Sequence, residues 1–134
     1  MMGEFTARKL GSLVEGCACD YLKNRGYLII ERNFACRFGE IDVVAFKGKT
    51  LVFFEVRYRK KGSLVKPEES VDGRKVNRLR LAIREFLYRY PGAADRFESI
   101  RVDLIAVTGD FQPGGNLRTK PMLVFEILQG IVEF

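Results

Sequence analysis

The stretch GEIDVVAFKGKTLVFFEVRYR, residues 39–59, decides the fold of this chain. It contains two runs rich in Val, Ile, Phe and Tyr, residues 40–46 and 51–59, which predict two β-strands. The intervening Lys47-Gly48-Lys49-Thr50 predicts a tight turn, so the two strands should form an antiparallel hairpin. A two-residue loop, Gly48-Lys49, and a four-residue loop, 47–50, give the same pairing of residues across the hairpin.

This pairing places two carboxylates side by side, because it sets Asp42 opposite Glu55 and Glu40 opposite Arg57. Successive side chains of a strand point to opposite faces of the sheet. On the first predicted strand, one face carries Glu40, Asp42 and Val44 and the other carries Ile41, Val43 and Ala45. On the second, one face carries Phe53, Glu55, Arg57 and Arg59 and the other carries Val52, Phe54, Val56 and Tyr58.

Like charges opposed on a sheet are destabilising, so something should offset Asp42 and Glu55. One interpretation is that Arg57 and Arg59 do so, which makes a solvated ionic face. The other is that a hard divalent cation does so, since Mg²⁺ takes one or two carboxylates and keeps waters for a phosphate substrate. The local pattern leaves both interpretations open.

Length and composition favour one domain, spanning residues 1–134, with a single core formed by the 47% of residues that are hydrophobic. The chain has no histidine, which excludes Ser-His-Asp and Cys-His catalysis and any His-ligated zinc site. The three cysteines, Cys17, Cys19 and Cys36, predict free thiols in a reducing cytoplasm. No signal peptide and no membrane span are expected.

The positive charge is concentrated in one segment. Residues 57–89 contain eleven Lys or Arg and four Asp or Glu, whereas the whole chain has a net charge of only +6. This distribution predicts a surface for a polyanion, with nucleic acid ahead of anionic membrane, although basic charge can also simply serve solubility. The predicted contact residues are Arg59, Lys60, Lys61, Arg74, Arg78, Arg80 and Arg84.

The remaining periodicity predicts helices over residues 6–25 and 72–90 and strands over 27–35, 99–108 and 122–128. The order is therefore α-β-β-β-α-β-β, with loops over 60–73 and 109–121. Gly26 is expected to end the first helix and Pro91-Gly92 the second. The predicted buried stripe of the second helix comprises Val76, Leu79, Ile83, Phe86 and Tyr90, with Lys75 at its margin.

With these elements placed, the chain resembles the YraN family of small bacterial proteins over nearly its whole length. The motifs that carry the resemblance are Gly11, Glu15 and Ala18 in a G-x-x-x-E-x-x-A pattern, RNFACRFGEIDVVA at 32–45, LVFFEVRYR at 51–59, Lys75 followed by Arg78-Leu79, and RVDLIAV at 101–107. The run Arg-Phe-Gly-Glu-Ile-Asp followed at this distance by Glu-Val-Arg is specific.

That family is similar in fold to the PD-(D/E)xK nucleases, which include restriction endonucleases and Holliday junction resolvases. The resemblance implies a restriction endonuclease-like α/β core, a mixed sheet with helices packed on it. It also implies that Asp42 and Glu55 bind a metal, that Arg57 takes the lysine position, and that Glu15 is the helical acid. Arginine stays protonated, so Arg57 can supply only electrostatic stabilisation, and Lys75 is a candidate source of an ammonium group.

A local alternative exists for Glu15, because Ser12-Leu13-Val14-Glu15 also matches a helix capping box. The apolar period, however, already begins at Leu10.

Two functions follow from the sequence and the resemblance. The first is a metal-dependent nucleic-acid phosphodiester hydrolase, endonuclease-like, with Mg²⁺ or Mn²⁺ on Asp42, Glu55, Glu15 and the Val56 carbonyl, and with Arg57 and Lys75 stabilising charge. The second is a non-catalytic DNA- or RNA-binding module on a nuclease fold, acting through segment 57–89. A protein-interaction adaptor is a third possibility. The sequence does not distinguish DNA from RNA and gives no oligomeric state.

Overall fold

A computed structural model describes residues 7–64, 72–110 and 123–132 of the chain. Its elements are α1 (Ala7–Asn24), β1 (Leu28–Cys36), β2 (Gly39–Lys47), β3 (Thr50–Lys60), α2 (Gly73–Arg89), α3 (Pro91–Arg96), β4 (Ser99–Gly109) and β5 (Leu123–Leu128). The predicted α/β class and element order are confirmed, with the short helix α3 as an addition that the sequence analysis missed.

The five strands form one mixed sheet in the order β1-β2-β3-β4-β5. Strands β1, β2 and β3 form an antiparallel meander, in which β2 and β3 are the predicted hairpin. Strand β4 then pairs parallel to β3, and β5 pairs antiparallel to β4. A parallel neighbour requires a crossover connection, and α2 and α3 lie within that connection.

The sheet is covered on both faces. Helix α1 packs on one face, over Val43, Ala45 and Phe54, and helix α2 packs on the other, over Val44 and Phe53. The central strand β3 is therefore buried from both sides, which explains its continuous apolar run. Burial extends one residue beyond that run, and Glu55 is only 2% exposed.

The predicted hairpin register is confirmed. Lys47 pairs with Thr50 and Val43 with Phe54, so the loop is the two-residue Gly48-Lys49. Gly48 has φ +59°, as the first loop residue of a two-residue hairpin requires. One residue further along, the same register sets Asp42 opposite Glu55, but the paired ladder itself stops at Val43 and Phe54.

The predicted alternation along β2 is wrong at Ile41, which packs with Val44 in the α2-side core instead of sharing the face of Val43. The pairing with β1 is interrupted at the same place without a shift of register. Arg32 pairs with Val43 and Phe34 with Ile41, but the intervening Asn33 and Asp42 are not paired. Asn33 has φ +54°, and it is the one non-glycine residue with positive φ in the described ranges. Alternation of faces holds only along a regular ladder.

Helix boundaries settle two further expectations. Helix α1 begins at Ala7, so Ser12 is not its N-cap and the capping-box interpretation of Glu15 is wrong. Gly26 does end this helix, with φ +90°. Its N–H donates to the Lys23 carbonyl while that of Tyr27 donates to the Leu22 carbonyl, the two bonds of a Schellman motif.

The second helix ends one residue earlier than predicted. Tyr90 is the C-cap of α2, 47% exposed, and does not belong to the buried stripe. Pro91 stops α2 but also opens α3, since proline is suited to the first turn of a helix. Parts of the predicted loops, 65–71 and 111–121, fall outside the described residues, as does Met122, the predicted start of the last strand.

The described residues bear on two expectations from composition, the state of the cysteines and the presence of a membrane span. Cys17, Cys19 and Cys36 are free thiols, as predicted. None of the helices described has the length and apolarity needed to cross a membrane.

The packing of α2 yields a stability prediction. Phe86 is 1% exposed and makes edge-on contacts with Phe34 and Phe53 at centroid distances of 5.2 and 5.4 Å. We expect Phe86→Ala to lower the free energy of unfolding by roughly 3–5 kcal/mol, measured by urea denaturation. Tyr88→Ala, at a side chain 83% exposed on the same helix, is the control and should change it by about 0.5 kcal/mol or less. Equal losses for the two variants would contradict the packing described.

Candidate functional site

Three carboxylates from two elements meet at one end of the sheet. Glu15 comes from the middle of α1, and Glu40 and Asp42 come from the start of β2. One carboxylate oxygen from each residue lies within 4.8 Å of those of the other two. Glu40 is exposed, whereas Glu15 and Asp42 are half-buried. We call these three residues the acidic cluster.

Asp42 is held in place by the backbone of the neighbouring strand. Its Oδ2 accepts a hydrogen bond from the Val56 N–H at 2.8 Å. This bond forms where the β2–β3 ladder ends, so the side chain takes the place of a backbone partner. Burial raises the pKa of Asp42 above its usual range, and the Val56 N–H and the charge of Lys75 oppose that rise.

Glu15 is fixed by a residue of β1. The side chain of Asn33 hydrogen-bonds the Glu15 carboxylate, and the positive φ of Asn33 lies at the position skipped by the β1–β2 ladder. Burial raises the pKa of Glu15, and the charges of Asp42 and Glu40 raise it further. A cation is favoured at a place where the charges of two neighbouring carboxylates raise the pKa of a third, Glu15.

Glu55 lies beside the cluster, on the α2 side of β3. Its Oε1 contacts two cations, Arg57 Nη2 at 2.9 Å and Lys75 Nζ at 3.3 Å. Its Oε2 is buried and makes no hydrogen bond within the described structure, and neither does Arg57 Nε. Burial, and then the charge of Asp42, raise the pKa of Glu55 to about 7 although Lys75 and Arg57 oppose the rise.

The predicted site residues are therefore brought together in two groups. Glu15 and Asp42 lie in the acidic cluster, while Glu55, Arg57 and Lys75 form an adjoining ionic group. Arg57 offsets Glu55, as the first interpretation of the hairpin expected, but Arg59 instead donates from Nη1 to the Tyr58 carbonyl at 2.9 Å. The ammonium of Lys75 does reach the site from α2.

The predicted nucleic-acid contacts are mostly exposed cations around these groups. Lys60 is the last residue of β3 and Lys61 follows it, and Arg74, Arg78 and Arg84 project from α2 into solvent. Arg80 differs from the prediction, because it is half-buried and in contact with other groups. Arg59 is also half-buried.

Two residues of the site were not predicted from the sequence. Glu40 was not chosen as a ligand, although its spacing of two residues from Asp42 on a strand was a usable signal. Asn33 carried only a weak signal, the enrichment of asparagine at positive φ. Its contact with Glu15 depends on how α1 packs on the sheet, which no local pattern shows.

The donor set suits a hard divalent cation. Carboxylate oxygens are the ligands that Mg²⁺ and Mn²⁺ prefer, and the cluster brings three of them within 4.8 Å of one another. A cavity of about 220 Å³ adjoins Glu15, between α1 and β3.

Known proteins match the part of the chain that contains the site. The profile of a family described as "Uncharacterised protein family UPF0102" matches residues 14–107, which include every member of the acidic cluster. A UPF0102 protein of Marinobacter nauticus is 46% identical over 102 residues, 76% of this chain and 80% of the relative. One of Moorella thermoacetica is 45% identical over 107 residues, 80% of this chain and 87% of the relative. The chain therefore belongs to the UPF0102 family, which is the YraN family that its motifs indicated.

Proposed function

We propose that this protein is a metal-dependent nucleic-acid phosphodiester hydrolase. The observation that carries the proposal is the acidic cluster, three carboxylates with oxygens within 4.8 Å, beside a buried carboxylate that has one unpartnered oxygen. Glu15, Glu40 and Asp42 would hold Mg²⁺ or Mn²⁺, with Oε2 of Glu55 and the carbonyl of Val56 as further ligands. Such a cation, when bound, polarises a phosphate and lowers the pKa of a bound water.

The chain's own residues supply the rest of the chemistry. Arg57 and Lys75 place two positive charges beside the carboxylates, where they would stabilise the negative charge that develops on the phosphate. Arg57 cannot accept a proton, so it acts through charge alone. Asn33 is a positioning residue, because its hydrogen bond fixes the direction of the Glu15 carboxylate.

The exposed cations of β3 and α2 support nucleic acid as the substrate. Lys60, Arg74 and Arg78 lie on the same two elements as Arg57 and Lys75, and Lys61 directly follows β3, so a bound phosphate backbone would reach the site. Three free thiols fit a reducing compartment, and the proposal places the activity in the cytoplasm.

A second function is favoured by one specific contact. Oε1 of Glu55 is shared between Arg57 and Lys75, so two cations already neutralise this carboxylate without a metal. This arrangement suits a module that binds nucleic acid without cutting it. The two functions differ in whether the acidic cluster binds a divalent cation.

Metal binding is the first test. We expect isothermal titration calorimetry to detect Mn²⁺ binding by the wild-type protein and to lose it in Asp42→Asn, where the amide can still accept the Val56 N–H. Asp95→Asn, at an exposed carboxylate of α3, is the control and should bind as the wild type does. Unfolding of Asp42→Asn would show that the carboxylate is needed for the fold.

Asn33→Gly extends this test. Glycine adopts positive φ without strain but removes the amide that contacts Glu15. We expect a loss of roughly 10- to 100-fold in Mn²⁺ affinity, as for other residues that orient a metal ligand. An unchanged affinity would remove Asn33 from the site.

The pH dependence of stability gives a second test. The pKa of Glu55 is about 7 in the folded, metal-free protein, against 4.5 ordinarily, so the folded state holds this proton more tightly than the unfolded state. The resulting stabilisation is complete below pH 4.5 and is lost as the pH rises to 7, on the order of 3 kcal/mol. In chelator, the stability of the wild type relative to Glu55→Gln should therefore fall over this range. A difference that stays flat or rises would contradict the buried, repelled carboxylate.

Catalysis is the third test, on single-stranded, duplex, flap and four-way-junction substrates with Mn²⁺. Cleavage should vanish in Glu55→Gln and in excess chelator. Arg57→Lys should keep most of the activity if position 57 acts through charge, and should raise it if proton transfer limits the rate. Lys75→Ala should cause a large loss if its ammonium has taken over the role of the usual lysine. Intact nucleic-acid binding without cleavage of any substrate would favour the non-cutting module.

A further inference from the structure

A groove runs between α1 and the edge strand β1, on the face of the sheet opposite α2. Its volume is about 610 Å³, and its charged lining residues are three cations, Lys9, Lys23 and Arg32, and a single acid, Asp20. We call it the α1 groove. The proposed nucleic-acid contacts on β3 and α2 include none of these residues, so the groove is a separate cationic surface.

The α1 groove adjoins the acidic cluster at two points of the chain. Gly16 lines the groove and directly follows Glu15. Arg32 lines it and directly precedes Asn33, whose side chain hydrogen-bonds Glu15. The charge of Arg32 also acts on Glu15 and favours its ionised form. One end of the groove therefore lies beside the cluster.

Arg32 lies at this end of the groove. Its Nη2 is 4.0 Å from the place that a Cβ added to Gly16 would take, so the guanidinium lies close to the backbone of α1. Arg32 is exposed, and a ligand in the groove can therefore reach it. Guanidinium groups bind phosphate oxygens with bidentate geometry.

We propose that the α1 groove binds a polynucleotide strand through its phosphates, on the side of the acidic cluster opposite to the contacts made by α2. This inference rests on the proposed function. Cationic surfaces then flank the cluster on both faces of the sheet. The substrate class is a strand that continues on both sides of the scissile phosphate, so cleavage takes place at internal phosphodiesters and not at chain ends.

Charge reversal at Lys23 tests the groove. Lys23 lines it near the end of α1, whereas Lys49 is an exposed lysine in the β2–β3 turn outside it. In fluorescence-anisotropy titrations of a labelled DNA duplex against KCl, Lys23→Glu should reduce the log–log salt slope by about 1. Lys49→Glu makes the same change in net charge and should leave the slope close to that of the wild type. Equal effects of the two variants would overturn the groove as a binding surface.

The same titration separates the groove from the proposed function. If Arg74→Ala and Arg78→Ala reduce the slope but Lys23→Glu matches Lys49→Glu, the α1 groove is overturned and the proposed function stands. If the wild-type protein does not bind the duplex at low salt, both are overturned.

The alkylation rate of Cys17 tests the groove in the wild-type protein. It is half-buried and lines the groove. We expect the bound duplex to slow its alkylation by iodoacetamide several-fold, measured by mass spectrometry of the Cys17 peptide, and mononucleotides to leave the rate unchanged. Alkylation of Cys17 at the same rate with and without saturating duplex would overturn the proposal.

Discussion

The hydrogen bond from the Val56 N–H to Asp42 Oδ2, 2.8 Å long, is the interaction on which the candidate site depends. It lies where the regular pairing of β2 with β3 ends and where β1 skips Asn33. Because the ladder stops here, Asp42 can use its carboxylate in place of a backbone partner, and Glu40 can approach Glu15 across the α1 face. In a regular ladder, side chains would keep alternating between the two faces of the sheet, and Glu15, Glu40 and Asp42 would not be brought together.

Burial explains the properties of Glu55, in the ionic group beside the acidic cluster. Strand β3 is covered by helices on both faces, so Glu55 loses its water and its pKa rises to about 7. Arg57 and Lys75 oppose this effect but share a single oxygen, which leaves Oε2 without a partner in the part of the chain that the structure describes. An unsatisfied buried carboxylate oxygen is costly. Either a divalent cation or a proton satisfies this oxygen. The cation corresponds to a hydrolase and the proton to a non-cutting module.

Much of this arrangement follows from local sequence. The turn at Gly48-Lys49 fixes the hairpin register, and hence the proximity of Asp42 and Glu55, and the helical period places Lys75 on the margin that faces the sheet. The irregularity at Asn33 and Asp42 could not be predicted, because it depends on three strands and a helix together. The positions of Ile41 and Glu40 follow from that irregularity. The mixed sheet and the acid at Glu15 came from the family resemblance and not from periodicity.

The most direct test of the account is a crystal structure of the protein grown or soaked with Mn²⁺, with anomalous diffraction data to locate the ion. We predict one strong anomalous peak bounded by carboxylate oxygens of Asp42, Glu15 and Glu40, with Oε2 of Glu55 turned towards it. Absence of a peak at saturating Mn²⁺, with Glu55 still bound only to Arg57 and Lys75, would contradict the metal site and leave a structural ion-pair network in its place.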